Sequence, residues 1–465
     1  MNSSAKVYII VALTFILLLL TYYLPPIAIG GYSLRQVDVL SDIAPPAPSK
    51  PAAATPAPPR AEPQRKPWKE EWPAGVVPIT DYGEDSTQGM NHFYSLLLDT
   101  KLDRPVRIAY YSDSFVEGDI MLADLRHLLQ AEFGGQGVGW VDMMPGFNDQ
   151  RLTVQEKTAG WTRHAVVDKK DFKLSLMGPS QAYYTLAAGT ASTSVYNVGA
   201  KQYASQWQRT TVYLKAPRGA QVSVEGAGSS RLNASPRVQE ATFAAGRNGR
   251  AHVQVSTTGG SVTAFGMALE GRHGVVLDNL GMRGIPGFTV ADIPDDNLTD
   301  FARLRPCDLV VLQFGLNALE TCKSDKFCKR YMAYFKRAIA KFRRHYPGVS
   351  ILIVGVSDAQ QRSTGGLRTM PQVAKLTAYQ QQLAASEKAA FISMQALMGG
   401  EGSMQRYVAK GWAEKDYKHI NSRGGAAVAR NFYKSIKGGL DNYRRKKAAG
   451  YSTHPHNSCT RYCKT

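Results

Sequence analysis

A serine nucleophile needs a base to take its proton, an acid to orient that base, and hydrogen-bond donors where the oxyanion forms. This chain offers a candidate for each role. Ser114 sits in the polar break Ser112-Asp113-Ser114, between the apolar run Val106 to Tyr111 and an amphipathic stretch beginning near Asp119. That pattern reads as strand, tight turn and helix, and open α/β sheets place ligands at such strand ends. The acid and base are Asp416 and His419, in Asp416-Tyr-Lys-His419. An aspartate at this spacing can fold back in one turn, accept a hydrogen bond from the imidazole and leave the other ring nitrogen as the base. Two more segments follow apolar runs of their own: Asp278-Asn-Leu-Gly-Met-Arg-Gly284 and Gln313-Phe-Gly-Leu-Asn317. The Ser114 N–H, the Gly284 N–H and the Asn317 amide would form an oxyanion hole, each donor worth about 3 kcal/mol in the transition state. Plainer readings stand beside these: Ser114 and Asn317 as capping side chains, Gly284 as a turn residue with positive φ. Asp113 would support the turn, and Arg283 would face an anionic substrate or simply solvent.

Positioning these residues takes a sheet. The runs Val106 to Tyr111, Gly274 to Asn279, Asp308 to Phe314, Val349 to Val356 and Ala390 to Met394 read as buried parallel strands, and helical patterns follow at 119–133, 325–346, 371–388 and 424–437. Alternating strand and helix predicts an α/β fold with a doubly wound, five-stranded parallel sheet. The alternation fails between about 160 and 270. Short β-type runs replace it there, at Phe172 to Leu176, Tyr183 to Ala187, Thr210 to Lys215, Gln221 to Glu225, Ala251 to Ser256 and Val262 to Leu269. These read as an inserted β-sandwich.

The N-terminal part is different. After a short tail (1–6), Val7 to Leu24 carries no charge and is long enough to span a bilayer, which predicts an uncleaved, single-pass signal-anchor. Residues 25–76 form a Pro/Ala-rich linker, an extended spacer. The expected organisation is completed by the α/β domain in two pieces (77–160 and 271–440), the insert (161–270) and a basic tail (441–465). The bulk of the chain would lie outside the cytoplasm, tethered to the membrane. Among the five cysteines, Cys322 with Cys328 and Cys459 with Cys463 are disulfide candidates in such a compartment, leaving Cys307 free. No Cys-x-x-Cys pair is present and no nearby histidine completes a zinc set, and His454 and His456 read as tail residues rather than metal ligands. The net charge of +19 suits an anionic polymer, but no nucleic-acid-binding motif is present.

Ser, Gly, Asn and His, in this order and at strand ends, resemble the SGNH/GDSL hydrolase family. Its Gly-Asp-Ser block resembles Ser112-Asp113-Ser114, its second-block glycine Gly284, its Gly-x-Asn-Asp block Gly315-Leu316-Asn317-Ala318, and its Asp-x-x-His block Asp416 and His419. Ser112 and Ala318 depart from the pattern without removing a catalytic group. The resemblance covers roughly 100–150 and 270–440. It implies a flavodoxin-like sheet and a serine esterase that needs no metal or organic cofactor. The insert is similar to the carbohydrate-binding-module-like insert of bacterial peptidoglycan O-acetylesterases, which implies an acetylated envelope polysaccharide as substrate and a catalytic part in the periplasm, anchored to the bacterial inner membrane. Trp161, Tyr183, Tyr184, Tyr196, Tyr203 and Trp207 would stack on sugars or, for most of them, pack the core. The alternatives are a membrane-anchored polysaccharide O-acetyltransferase using the same residues, a non-catalytic glycan-binding or assembly protein, and an esterase of small or lipid esters. Oligomeric state is not legible.

Overall fold

The computed structural model describes residues 3–23, 28–29, 32–33, 67–85, 87–146, 151–168, 171–199, 203–245 and 249–451. The chain divides into two compact units, Met1–Gln64 and Arg65–Thr465. The first contains a helix, Ser3–Tyr23, and a minimal antiparallel pair of Ala28–Ile29 with Tyr32–Ser33. Among the described residues no helix is long and apolar enough to cross a membrane, so the anchor expected over 7–24 finds no support in the structure. Most of the expected linker lies outside the described residues, as do Cys459 and Cys463 of the tail.

The second unit is built on one sheet. Five strands, β1 (Val106–Ser112), β2 (Val275–Asn279), β3 (Leu309–Gln313), β4 (Ser350–Val354) and β5 (Ala390–Ile392), pair in parallel in the order β2-β1-β3-β4-β5. A sixth, Thr80–Asp81, pairs antiparallel with β5. Every residue of these five strands is buried. That explains their unbroken apolar character, since a strand covered on both faces cannot alternate.

The two faces are covered by different helices. Ile108, Tyr110, Val311 and Leu352 pack with Leu122, Leu125 and Leu129 of α1 (Leu122–Phe133) and with Val428, Phe432 and Ile436 of the C-terminal helix. Tyr111, Val310, Leu312 and Ile351 pack with Phe335, Ile339 and Phe342 of α2 (Asp325–His345) and with Val373 and Leu376 of α3 (Pro371–Ser386). The helix starts are set locally. The Ser324 hydroxyl accepts from Phe327 N–H ahead of α2, Pro371 opens α3, and the Asn421 side chain accepts from Arg423 and Gly424 N–H ahead of α4 (Ser422–Ala448). Arg343, Arg344 and His345 in the last turn of α2 complement its negative end.

Between α1 and β2 the chain forms two antiparallel sheets whose strands pair only among themselves. In Arg250–Thr257, Ala251, Val253 and Val255 are buried while Arg250 and Gln254 are exposed, the alternation of a strand with one wet face. Phe172 to Leu176, expected as a strand, instead ends in a 3-10 turn at Leu174–Leu176. Gly139–Val141 and Val154–Ala159, both before residue 161, are strands of these sheets. The second reads Val-Gln-Glu-Lys-Thr-Ala, too polar to register as a β-type run.

Candidate active site

Ser114 opens a 3-10 turn, Ser114–Asp119, directly beyond the C-terminal end of β1. Asp113 caps it, its Oδ1 accepting from Phe115 N–H at 3.1 Å. Burial pushes the Asp113 carboxyl up to about 6, against the opposing pull of that hydrogen bond and of His419. The turn leaves helical geometry at Glu117 and Gly118, and Asp119 takes φ 63°.

Such a conformation is uncommon for a non-glycine residue, and the bonds to Asp119 account for it. Its buried carboxylate accepts from Arg126 (3.1 and 3.2 Å), Arg151 Nε (2.8 Å), Thr153 Oγ1 (2.5 Å) and Asn279 Nδ2 (2.9 Å). Burial opposes its charge, but Arg126 and Arg151 hold it far below the usual carboxylate range. One side chain thus ties the serine turn to α1, to the end of β2 and to the segment entering the antiparallel sheets. Sequence reasoning missed this hub. The available signal was Arg126 itself, a charge on the same helical face as Leu122, Leu125 and Leu129.

His419 meets Ser114 from the far end of the chain. Ala413 bridges Ile420 and Glu414 N–H donates to the His419 carbonyl at 2.8 Å, closing a tight loop in which Tyr417 has φ 59°. Within that loop Asp416 Oδ1 accepts from Lys418 N–H (2.9 Å) and His419 N–H (3.1 Å), and Oδ2 lies 2.6 Å from His419 Nδ1. His419 Nε2 lies 3.0 Å from Ser114 Oγ. Partial burial works to raise the Asp416 carboxyl, but these hydrogen bonds outweigh it and hold the group below its ordinary range. A carboxylate facing Nδ1 accepts a hydrogen bond from Nδ1–H and keeps the ring proton there, so Nε2 is left to accept from the hydroxyl.

Gly284 and Asn317 line the same cavity, of about 920 Å³, as Ser114, Asp416 and His419. Gly284 has φ 76° with open space where a Cβ would stand, so conformation rather than space favours glycine there. Asn317 lies in a 3-10 turn (Leu316–Ala318) after β3, its amide 3.4 Å from the Ile285 carbonyl. Gly315 ahead of it combines φ 141° with a Cβ position under 3 Å from Val356, so conformation and space both demand glycine. Ala318 is 1 % exposed and packed in the core, where a carboxylate would have no water.

Beyond the cavity, Cys322 and Cys328 form a disulfide between the Asn317 loop and the first turn of α2. Cys307 is free, its thiol pushed up to about 12 by burial. Trp161, Tyr183, Tyr184 and Trp207 are core residues. Tyr196 is half-buried with Lys157 and Arg250 over its ring, and Tyr203 packs on His127. Among the described residues no cluster of His, Cys, Asp or Glu is arranged to hold a metal.

Residues 242–427 match the model of the GDSL-like Lipase/Acylhydrolase family. The chain carries a GDSL-like lipase/acylhydrolase domain. The matched span holds Gly284, Asn317, Asp416 and His419, while Ser114 lies ahead of it, across the antiparallel sheets. No curated protein matches the chain. Among solved structures it is similar to a peptidoglycan O-acetylesterase, at 20% identity and a TM-score of 0.63, covering 78% of this chain and 99% of that one. At this identity the likeness is one of fold. Two family two carbohydrate esterases match more distantly. That of Cellvibrio japonicus has 11% identity and a TM-score of 0.26, covering 62% of this chain and 99% of that one. That of Clostridium thermocellum, in complex with cellohexaose, has 13% and 0.26, covering 56% and 95%.

Proposed function

We propose that this protein is a serine esterase of the SGNH type that removes O-acetyl groups from an envelope polysaccharide, peptidoglycan first. The observation that carries this reading is the continuous contact from Ser114 Oγ to His419 Nε2 (3.0 Å) and from His419 Nδ1 to Asp416 Oδ2 (2.6 Å). We read the α/β part as a doubly wound, flavodoxin-like sheet and the strands between α1 and β2 as a β-sandwich inserted into it.

In the mechanism, His419 takes the Ser114 proton as Oγ bonds to the acetyl carbon. The carbonyl electrons move onto oxygen, which the Ser114 N–H, the Gly284 N–H and the Asn317 amide receive. On collapse the sugar hydroxyl leaves with the proton from His419. Water, activated by the same base, then attacks the acetyl-serine and releases acetate. Transfer to a second sugar hydroxyl would use the same residues and differ only in the acceptor. An extracytoplasmic setting is supported by the Cys322–Cys328 disulfide, a bond of oxidising compartments.

The test is acetate release from O-acetylated peptidoglycan. Wild type should release acetate. Ser114→Ala should lose at least about 10³-fold in rate while keeping its thermal unfolding midpoint. Good turnover of lipid esters with no acetate from the glycan would move the substrate assignment to the lipase side, and acetylated acceptor glycan in place of free acetate would move it to transfer.

A further inference from the structure

We propose that the ion pair between Glu117 and Arg283 is a positioning device that sets the spacing of the Ser114 and Gly284 oxyanion donors. The proposal rests on the serine-esterase reading above. Glu117 belongs to the Ser114–Asp119 turn, and Arg283 immediately precedes Gly284 on the loop after β2. Arg283 Nε (2.8 Å) and Nη2 (2.5 Å) both donate to Glu117 Oε2. The pair joins residues 166 positions apart in sequence and bridges the two loops that bring the backbone donors to the cavity.

Burial decides what the pair is for. The Glu117 side chain is 8 % exposed and the Arg283 side chain 61 %. An exposed ion pair contributes little to stability, but a desolvated carboxylate demands its partner, so Glu117 holds Arg283 rather than the reverse. Gly284 cannot be wedged in place by its own side chain, and a Cβ there would touch nothing. Its loop is fastened by backbone on one side, where Met282 N–H donates to the Ser112 carbonyl at 3.0 Å. On the other side Tyr331 Oη donates to the Pro286 carbonyl at 2.7 Å. Arg283 is the tie between these points, and it runs to the nucleophile's own turn. An oxyanion hole works only when its donors are aimed before the charge develops, and misplacement by about 1 Å costs on the order of 10²-fold.

The experiment measures kcat and KM on p-nitrophenyl acetate, a neutral ester without a sugar, for the full chain carrying Arg283→Gln, Glu117→Gln, both, or Arg283→Lys. The expected result is a loss in kcat of about 10-fold or more for each glutamine variant, with KM within about two-fold. The double variant should be no worse than the worse single variant, and Arg283→Lys should recover part of the rate. Unchanged kcat in Arg283→Gln overturns the proposal, as do losses that multiply in the double variant. A defect confined to KM on an anionic glycan would make Arg283 a substrate contact and would also overturn it. Arg283 is largely exposed, so Arg283→Gln decides the matter even where Glu117→Gln fails to fold. Ser114→Ala, run in parallel, keeps the two readings apart: if it retains activity the esterase reading fails, whereas a dead Ser114→Ala beside a fully active Arg283→Gln removes only the positioning role.

Discussion

The proposed base and acid stand at the rim of the cavity, with the His419 side chain 41 % exposed and that of Asp416 46 %, while Asp113, beside Ser114, is buried. The buried group sets a pH dependence of stability. Its folded pKa of about 6 lies above the ordinary carboxylate value. The native state therefore binds the proton more tightly than the unfolded state, and this contribution is complete below about pH 4 and lost as pH rises through about 6. Asp113→Asn removes the term. At pH 8 it should be more stable than wild type by about 2–3 kcal/mol, with the gain vanishing at pH 4, as read by denaturant unfolding at both values. At this scale much was legible from local spacing: Ser114, Gly284, Asn317, Asp416 and His419 line one cavity, and each was marked by the few residues around it. The Glu117–Arg283 pair was not, because each is an unremarkable charge until the fold brings two distant loops together.

Among the elements, the serine turn, α1, the end of β2 and the segment at 151–153 meet at Asp119. Asp119→Ala should cost about 3–5 kcal/mol, because it leaves Arg126, which has no exposure at all, as an uncompensated buried charge. Denaturant unfolding measures it, and a loss under 1 kcal/mol would mean that the hub is not needed. The strands of the parallel sheet were readable because burial on both faces forces unbroken runs of Val, Ile and Leu, as in Ser350–Val354. Ser235–Ala244 was not, since its Ser-Pro-Arg-Val-Gln-Glu opening is polar and buries only Val238. Phe172 to Leu176 erred the other way, because apolar residues there serve a 3-10 turn.

Taken as one molecule, the chain carries a net charge of +19, which favours capture of an acidic polymer through long-range attraction. Raising the salt from about 50 to 500 mM should raise KM for an acetylated anionic glycan several-fold, since the Debye length falls well below 10 Å. The same change should leave p-nitrophenyl acetate hydrolysis unaffected. Equal salt sensitivity on both substrates would remove any role for the charge in capture.

The order of strands also governs assembly. β1 runs into the Ser114 turn but lies between β2 and β3, both of which follow the antiparallel strands of 139–270. A growing chain therefore completes those strands while β1 still lacks both neighbours, and His419 arrives later still. Closing such long intervals is slow and leaves an apolar strand unpaired until Val275–Asn279 has been made. Ser114 is made early and His419 late, so under the proposed mechanism a polypeptide interrupted anywhere between them holds a serine without the base that would activate it.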